Sequence, residues 1–332
     1  LVSIGRRWHL PRLTIREPKF HALMGGIKSE RLLSRLEELA SIGARSDGGV
    51  CRLAFSDEDL AGREYVITHL KRLGLEIRID AIGNLFGILR GQTNLPAVMI
   101  GSHTDTVAAG GKYDGALGVL AALEAVECIV ESRSLPQRSV IVASFVNEEG
   151  VRFMPDMMGS LIYCGRVSLE DACSARDTNG ITIGEELDRL SYAGSDTLDD
   201  IAVDFFLELH IEQGPILEAA GDAIGVVTHQ QGIRWYTVTV TGSESHAGTT
   251  PMALRQDALM TAAEIVLKVN SIAQAHAPSG RGTVGKFDCY PGSPNTVPGR
   301  VVLSVDLRHP DNDTLEEMEQ QLMSFGQTFS TG

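Results

Sequence analysis

Residues 97–125 read AVMIGSHTDTVAAGGKYDGALGVLAALEA. The run Ala97–Ser102 has the length and apolar character of a buried strand, and it ends by presenting His103 and Asp105 two positions apart. Asp114 follows eleven residues after His103, inside Gly110-Gly111-Lys112-Tyr113-Asp114-Gly115, where the glycines let the backbone fold tightly. Gly115–Glu131 then reads as an apolar-faced helix. Strand, polar loop and helix in this order predict a unit of an α/β sheet. In such sheets functional residues gather past the carboxyl ends of the strands.

The same rhythm extends in both directions. Upstream, Leu32, Leu33, Leu36 and Leu39 recur at helical spacing. A second helix opens at Ser56, with Asp59 three residues on as in a capping box, and runs to about Gly74. Leu75–Ile79 and Ala81–Leu89 read as strands. Downstream, Ser139–Val146 is another buried strand, ending in Asn147-Glu148-Glu149-Gly150, and Phe205–Leu209 ends in His210-Ile211-Glu212-Gln213-Gly214. Short buried strands alternating with helices predict an α/β sheet covered on both faces. After Pro215 the texture changes. Trp235–Thr241 and Val301–Leu307 alternate like half-exposed strands, a long helix runs from about Leu254 to His276, and another near Asp313 carries Leu315, Met318 and Leu322 on one face. This predicts a small α+β domain after about residue 216.

Bulk properties narrow the class. A chain of 332 residues with 43% hydrophobic and 22% charged residues is an ordinary globular composition with room for two domains. The longest apolar runs are of strand length, so no membrane span is expected. The formal charge is −14 and unevenly spread. Residues 1–27 form a basic N-terminal tail without the apolar core of a secretory signal. The acidic remainder argues against nucleic acid or an anionic membrane as partner. Five cysteines lie scattered without a metal or disulfide spacing, which predicts a reducing compartment and a cytoplasmic protein.

Three hydrophobic strands thus each deliver histidine or carboxylate at their ends. Taken singly, each residue has an ordinary structural explanation: a strand-end histidine bonded to backbone, an aspartate capping a helix, a glutamate pair in solvent. Asp105 fits equally as the residue that orients His103. Together they form a donor set suited to zinc or another first-row divalent ion. A carboxylate bridging two such ions, with an unligated carboxylate beside it, suits hydrolysis of a carbonyl compound.

The segments GSHTDTVAAGGKYDGALGVLAALEA, FVNEEGVRF, ELHIEQGPILE, SHAGTTPM and PNTVPGRVVLSVDLRHPD, in this order from about residue 28 to the end, resemble the amidase branch of the M20-type zinc peptidase superfamily. That branch holds N-carbamoyl-L-amino acid hydrolases, allantoate amidohydrolases and β-ureidopropionases. The resemblance implies a zinc-aminopeptidase-like three-layer catalytic domain over 28–215 and a lid and dimerisation domain over 216–332. It implies two divalent ions per subunit (Zn, Mn or Co), with His103 and His210 on one, Asp114 bridging, and Glu149 on the other. Glu148 would be the general base. His246 would stabilise the oxyanion, reaching across from a partner subunit of a homodimer. Gln213, Asn295 and Arg308 would hold the substrate carboxylate; Arg308 suits this because a guanidinium matches a carboxylate with two hydrogen bonds. Without the resemblance Arg308 reads as a surface charge at a strand end.

His210 stands where peptidase relatives carry a carboxylate, which favours the carbamoyl and allantoate branch. The expected reaction is hydrolysis of an N-carbamoyl-L-amino acid to amino acid, carbon dioxide and ammonia. Val151–Pro155 and Met157-Met158-Gly159 resemble the carbamoylases more than the allantoate enzymes, the nearest rival. The resemblance also implies a further C-terminal stretch whose histidine completes the second metal site, so that site is expected to be incomplete here. A truncated remnant that only binds a metal or a partner is the alternative from another class.

Overall fold

In the computed structural model, which describes residues 26–329, the chain divides into two compact units, with the boundary in the sequence between Gly221 and Asp222. Residues 1–25 of the basic tail lie outside the described residues.

The first unit opens with helices α1 (Ser29–Ser41) and α2 (Asp57–Arg72), then strands β1 (Glu76–Ile79), β2 (Leu85–Leu89) and β3 (Ala97–His103). Helix α3 (Ala116–Glu131) leads to β4 (Val140–Phe145). The short helices α4 (Met158–Tyr163), α5 (Leu169–Ser174) and α6 (Ile183–Leu190) lead to β5 (Val203–Leu207), and α7 (Ile216–Ala220) closes the unit. The five strands lie in the order β1-β2-β4-β3-β5. β3 runs parallel to both β4 and β5, whereas β1 and β2 are antiparallel additions on the far side. The chain passes from β3 to β4 on one side, then returns across it to β5 on the other. The carboxyl ends of β3, β4 and β5 therefore open at one rim, at a switch in strand order.

Apolar packing fixes this arrangement. Leu36 and Leu39 of α1, Val66, Ile67 and Leu70 of α2, and Val119, Leu120 and Leu123 of α3 bury against Val140 and Val142. Two glycines set how closely the layers approach. A Cβ on Gly101 would stand 2.0 Å from the Ala143 carbonyl oxygen, and one on Gly118 would stand 2.6 Å from Ser102 Cβ. Arg31 binds Glu124 at 2.6 Å, and Arg35 pairs with Glu127, joining α1 to α3 by ion pairs beneath the surface.

Several sequence boundaries move for local reasons. Ser56 caps α2 by accepting from Asp59 N–H at 3.2 Å, but the Asp59 carboxylate takes the N–H of Phe55 at 2.8 Å rather than that of Ser56. The expected strand Ala81–Leu89 begins at Leu85. Asp80 holds the preceding turn by accepting from the N–H groups of Ile82 and Asn84. Leu33 faces out of α1, since the buried stripe follows Leu32, Leu36 and Leu39. β5 departs from the expectation of a sheet covered on both faces. It pairs only with β3 among the described residues, and Phe205 and Leu207 are 54% and 57% exposed.

The second unit holds strands β6 (Gly232–Thr241) and β7 (Ser245–His246), helix α8 (Ala258–Ala275), strands β8 (Arg281–Thr283), β9 (Phe287–Tyr290), β10 (Thr296–Val297) and β11 (Arg300–His309), and helix α9 (Asn312–Gln327). β11 is central, antiparallel to β6 on one side and to β8 and β9 on the other. Helices α8 and α9 cover one face, through Ala262, Ile265, Val269, Leu315, Met318 and Leu322 against Val301, Leu303, Val305 and Leu307. α8 starts at Ala258 rather than near Leu254. Asp257 caps it there, and Met252–Leu254 form a separate 3-10 turn after Pro251. β7 and β10 form a separate two-stranded ribbon. No described helix is long and apolar enough to cross a membrane.

Candidate metal centre

His103 is the last residue of β3 and is 1% exposed. Its Nδ1 lies 2.9 Å from the backbone oxygen of Asp105. A carbonyl only accepts, so Nδ1 carries the proton and Nε2 keeps a bare lone pair. His210, beyond β5, repeats the device: its Nδ1 lies 2.9 Å from the Ile211 carbonyl. Its Nε2 lone pair then faces Asp114 Oδ1 at 3.3 Å. That oxygen is buried and has no hydrogen-bond donor. Potential ligand atoms of His103, Asp114 and His210 lie within 4.8 Å of one another. Lone pairs and a carboxylate facing one another without a proton between them repel. A divalent cation removes that repulsion, so this donor set fits one.

The glycine ahead of α3 shapes the site. Gly115, not Asp114, stands at the N-cap, with φ +61, and no side chain caps the helix. A Cβ on Gly115 would lie 2.4 Å from His103 Nε2, the atom that faces the cluster. Asp114 is thus not occupied as a cap. Its other oxygen, Oδ2, accepts from Gln213 Nε2 at 2.6 Å. Gln213 therefore contacts the candidate cluster itself and sits at φ +54. Neither Gly115 against His103 nor Gln213 against Asp114 is legible in the sequence, because neither contact has a fixed spacing.

The glutamate pair lies beside this cluster. Asp105 Oδ1 and Oδ2 accept the backbone N–H groups of Glu148 and Glu149, each at 3.2 Å, while the Asp105 carboxylate stays 3.7 Å from His103 Nδ1. Asp105 orients His103 through its carbonyl and spends its carboxylate on the neighbouring loop. Behind that loop, buried Asn147 donates to Phe153 O at 2.8 Å and Pro155 O at 3.1 Å. Buried Asn84 accepts from Val146 N–H at 3.0 Å and donates to Gly159 O at 2.9 Å. Glu148 Oε2 lies 3.7 Å from His103 Nε2, and Glu149 stays outside the three-residue cluster.

Electrostatics follow from the crowding of carboxylates. Burial raises the Glu148 carboxyl above its usual range, with His103 opposing and Asp105 adding to the rise. Burial likewise pushes Glu149 up to about 7, aided by Asp114, Asp105 and Glu148 against the pull of His103. Burial lowers His103, but Asp105, Glu148 and Glu149 outweigh it and hold the ring above its ordinary value.

In the second unit, His246 on β7 stands beside Asn295, with Asn295 Nδ2 3.3 Å from His246 Nε2. Arg308 on β11 binds the Asp306 carboxylate through Nε at 3.0 Å and Nη2 at 2.7 Å. The sequence-derived residues thus fall into a cluster of His103, Asp105, Asp114, Glu148, Glu149, His210 and Gln213 in one unit. His246 with Asn295, and Arg308, lie in the other.

Comparison with known proteins places this geometry in context. Residues 99–320 match the peptidase family M20/M25/M40. An N-carbamoyl-L-amino-acid amidohydrolase of Rhizobium meliloti is 39% identical over 298 residues, covering 89% of this chain and 71% of that protein. The allantoate amidohydrolase of Bacillus subtilis (strain 168) is 38% identical, covering 87% and 71%. The crystal structure of an amidase of the hydantoinase/carbamoylase family from Burkholderia vietnamiensis superposes with a TM-score of 0.84 at 43% identity, covering 91% of this chain and 73% of that one.

Two outcomes follow. Gly115→Ala drives a methyl group into His103 Nε2 and should weaken divalent-ion affinity at least about ten-fold. The far-ultraviolet circular dichroism should hold; unchanged affinity in a calorimetric titration would separate His103 from the ion. The second concerns pH. In the metal-free chain the raised carboxyl of Glu149 holds a proton that an ion must displace. Its contribution to metal-free stability is present at low pH and is lost as pH climbs through about 7. Ion affinity should therefore rise with pH up to about 7 and then level, with proton release on binding. A flat profile from pH ~5 to ~8 would contradict this assignment.

Proposed function

Because the chain belongs to peptidase family M20/M25/M40, a divalent-metal-dependent family whose relatives here are amidohydrolases acting on C–N bonds, we propose that it hydrolyses N-carbamoyl-L-amino acids to L-amino acid, carbon dioxide and ammonia. The observation that carries this reading is the set His103, Asp114 and His210, with ligand atoms within 4.8 Å of one another, His210 Nε2 facing the Asp114 carboxylate and Glu148 beside His103 Nε2. The substrate class is supported by the names of the relatives, several of which are N-carbamoyl-L-amino-acid amidohydrolases. The allantoate enzyme of Bacillus subtilis, at nearly the same identity, keeps allantoate as the second reading.

His103 and His210 would hold one ion and Glu149 the other, with Asp114 serving both. Zn²⁺, Mn²⁺ or Co²⁺ there would supply Lewis acidity to the ureido carbonyl and would make water acidic enough to react near neutral pH. Glu148 is the base. Its half-buried carboxylate, kept off the ions, takes a proton from the attacking water and returns it to the leaving nitrogen as the C–N bond breaks. Asp105 fixes the base by holding the Glu148 and Glu149 N–H groups. His246 donates a hydrogen bond to the oxygen that gains charge. Gln213, Asn295 and Arg308 hold the carboxylate of the substrate.

Two coarser features belong to the same reading. An apolar surface of Leu259, Met260 and Leu267 on α8, with Phe287 on β9, supports a homodimer formed through the second unit. Five free cysteines support a cytoplasmic setting.

The test is ammonia release by chelator-stripped chain reloaded with Mn²⁺, Co²⁺ or Zn²⁺. Release from N-carbamoyl-L-amino acids and not from allantoate is expected; the reverse would move the assignment to the second reading. Glu148→Gln should cost about 10²–10⁴-fold in kcat with unchanged metal content. Turnover retained in that variant would assign the base elsewhere.

A further inference from the structure

β3 and β5 hold their histidines by different means. β3 pairs with β4 to its very end, through Ser102 with Ser144 and His103 with Phe145, so the backbone ladder itself sets His103. On its other side β3 pairs with β5 only as far as Ile100 with Leu207. His210 stands three residues past that last pair. The Nδ1 bond of His210 goes to its own neighbour, Ile211, and fixes the proton on the ring without fixing where the ring stands.

Side chains take over where the ladder stops. Ser102 is buried and precedes His103, and its hydroxyl donates to Glu208 Oε1 at 2.5 Å, the length of a charge-assisted bond. Glu208 stands two residues before His210, and Gln213, three residues after it, donates to Asp114. The other acid of the segment is engaged elsewhere: Glu212 accepts the N–H groups of Ile216 and Leu217, each at 2.9 Å, at the start of α7. α3 packs on the same place. A Cβ on Gly118 would stand 2.6 Å from Ser102 Cβ and 2.8 Å from the Leu209 carbonyl oxygen. The residue before His103, the residue before His210 and the helix that follows Asp114 thus converge at this glycine.

We propose that the Ser102–Glu208 bond is a clasp that positions His210: it extends the grip of β3 on the chain beyond β5 past the end of the ladder, and Gly118 leaves the room for it. Ser102 and Glu208 are positioning residues that act through His210. A carboxylate suits the task because it only accepts, so the serine hydroxyl has one direction in which to point. The clasp rests on the metal reading above for what His210 does, and goes beyond it in saying what holds His210 in place. Groups that orient a metal ligand from behind change ion affinity about 10–100-fold when removed.

The test is Zn²⁺ affinity of the full chain by calorimetric titration, with circular dichroism to check folding, in the presence and absence of His210. Ser102→Ala and Glu208→Ala should each weaken Zn²⁺ binding about ten-fold. The double variant should lose about as much as either alone, because both remove one bond. Glu208→Gln keeps an oxygen for Ser102 and should stay within about three-fold of the parent. With His210→Ala already in place, Ser102→Ala should change the affinity by less than about two-fold. Unchanged affinity in the two alanine variants, or an equal loss with and without His210, would overturn the clasp. A second readout needs no ion. In long-range proton–nitrogen spectra of the ion-free, ¹⁵N-histidine-labelled chain, with His210→Ala assigning its signals, Ser102→Ala should displace the His210 ring signals and leave those of His246 in place. Unmoved His210 signals would overturn the clasp. A parent chain that takes up no Zn²⁺ would sink the metal reading, while the His210 signals still decide the clasp.

Discussion

The first unit is organised around an electrostatic conflict. Two imidazoles give their Nδ1 protons to backbone carbonyls and turn bare Nε2 lone pairs inward, where a buried oxygen of Asp114 has no donor of its own. Leaving His103 and the buried Asp114 oxygen unpaired is costly, although His210 on the outer side is exposed, and a positive charge among the three removes that cost. The surrounding structure keeps the conflict in place. Three parallel strands end at one rim, glycines at 101, 115 and 118 allow approaches that any side chain would block, and α3 begins without a capping side chain so that Asp114 remains available.

Asp105 links the parts. Its carbonyl sets the tautomer of His103, and its carboxylate fixes the backbone of Glu148 and Glu149 across a strand boundary. One residue therefore couples the geometry of His103 to that of the neighbouring acids. The loop after β4 is further braced by Asn84 and Asn147, both buried and bonded to backbone. Side chains built on strand ends and tied from behind are positioned more rigidly than those on free loops. The second unit uses the same means at smaller scale, where the backbone N–H groups of Gly248 and Thr249 hold His246 through Nδ1.

Much of this was legible in the sequence where local rules suffice. Apolar runs of strand length located β3 and β4, and the residues just past them supplied the acids and imidazoles. The Ser56 cap was readable because an N-cap and its third residue sit at a fixed spacing. Contacts without a fixed spacing were not readable. Gly115 against the His103 ring, Gln213 on Asp114, and the division of labour within Asp105 all depend on how distant segments meet. Asp80 shortens a strand that alternation alone starts earlier, and Leu33 falls outside the buried helical stripe despite its spacing, because periodicity gives a face but not its width. The exposure of β5 was invisible for another reason: a run such as Val203-Asp204-Phe205-Phe206-Leu207 has the composition of a covered strand whether or not anything covers it.

The central claim is that His103, Asp114 and His210 hold a divalent ion together. X-ray absorption of the Zn²⁺-loaded chain tests it most directly, because outer-shell scattering from imidazole counts histidine ligands and sulfur is distinguished by its longer bond. The account predicts a nitrogen and oxygen shell with imidazole scattering that diminishes in His210→Ala and again in the double variant with His103→Ala. A sulfur-ligated ion, or a spectrum that neither substitution changes, would contradict it.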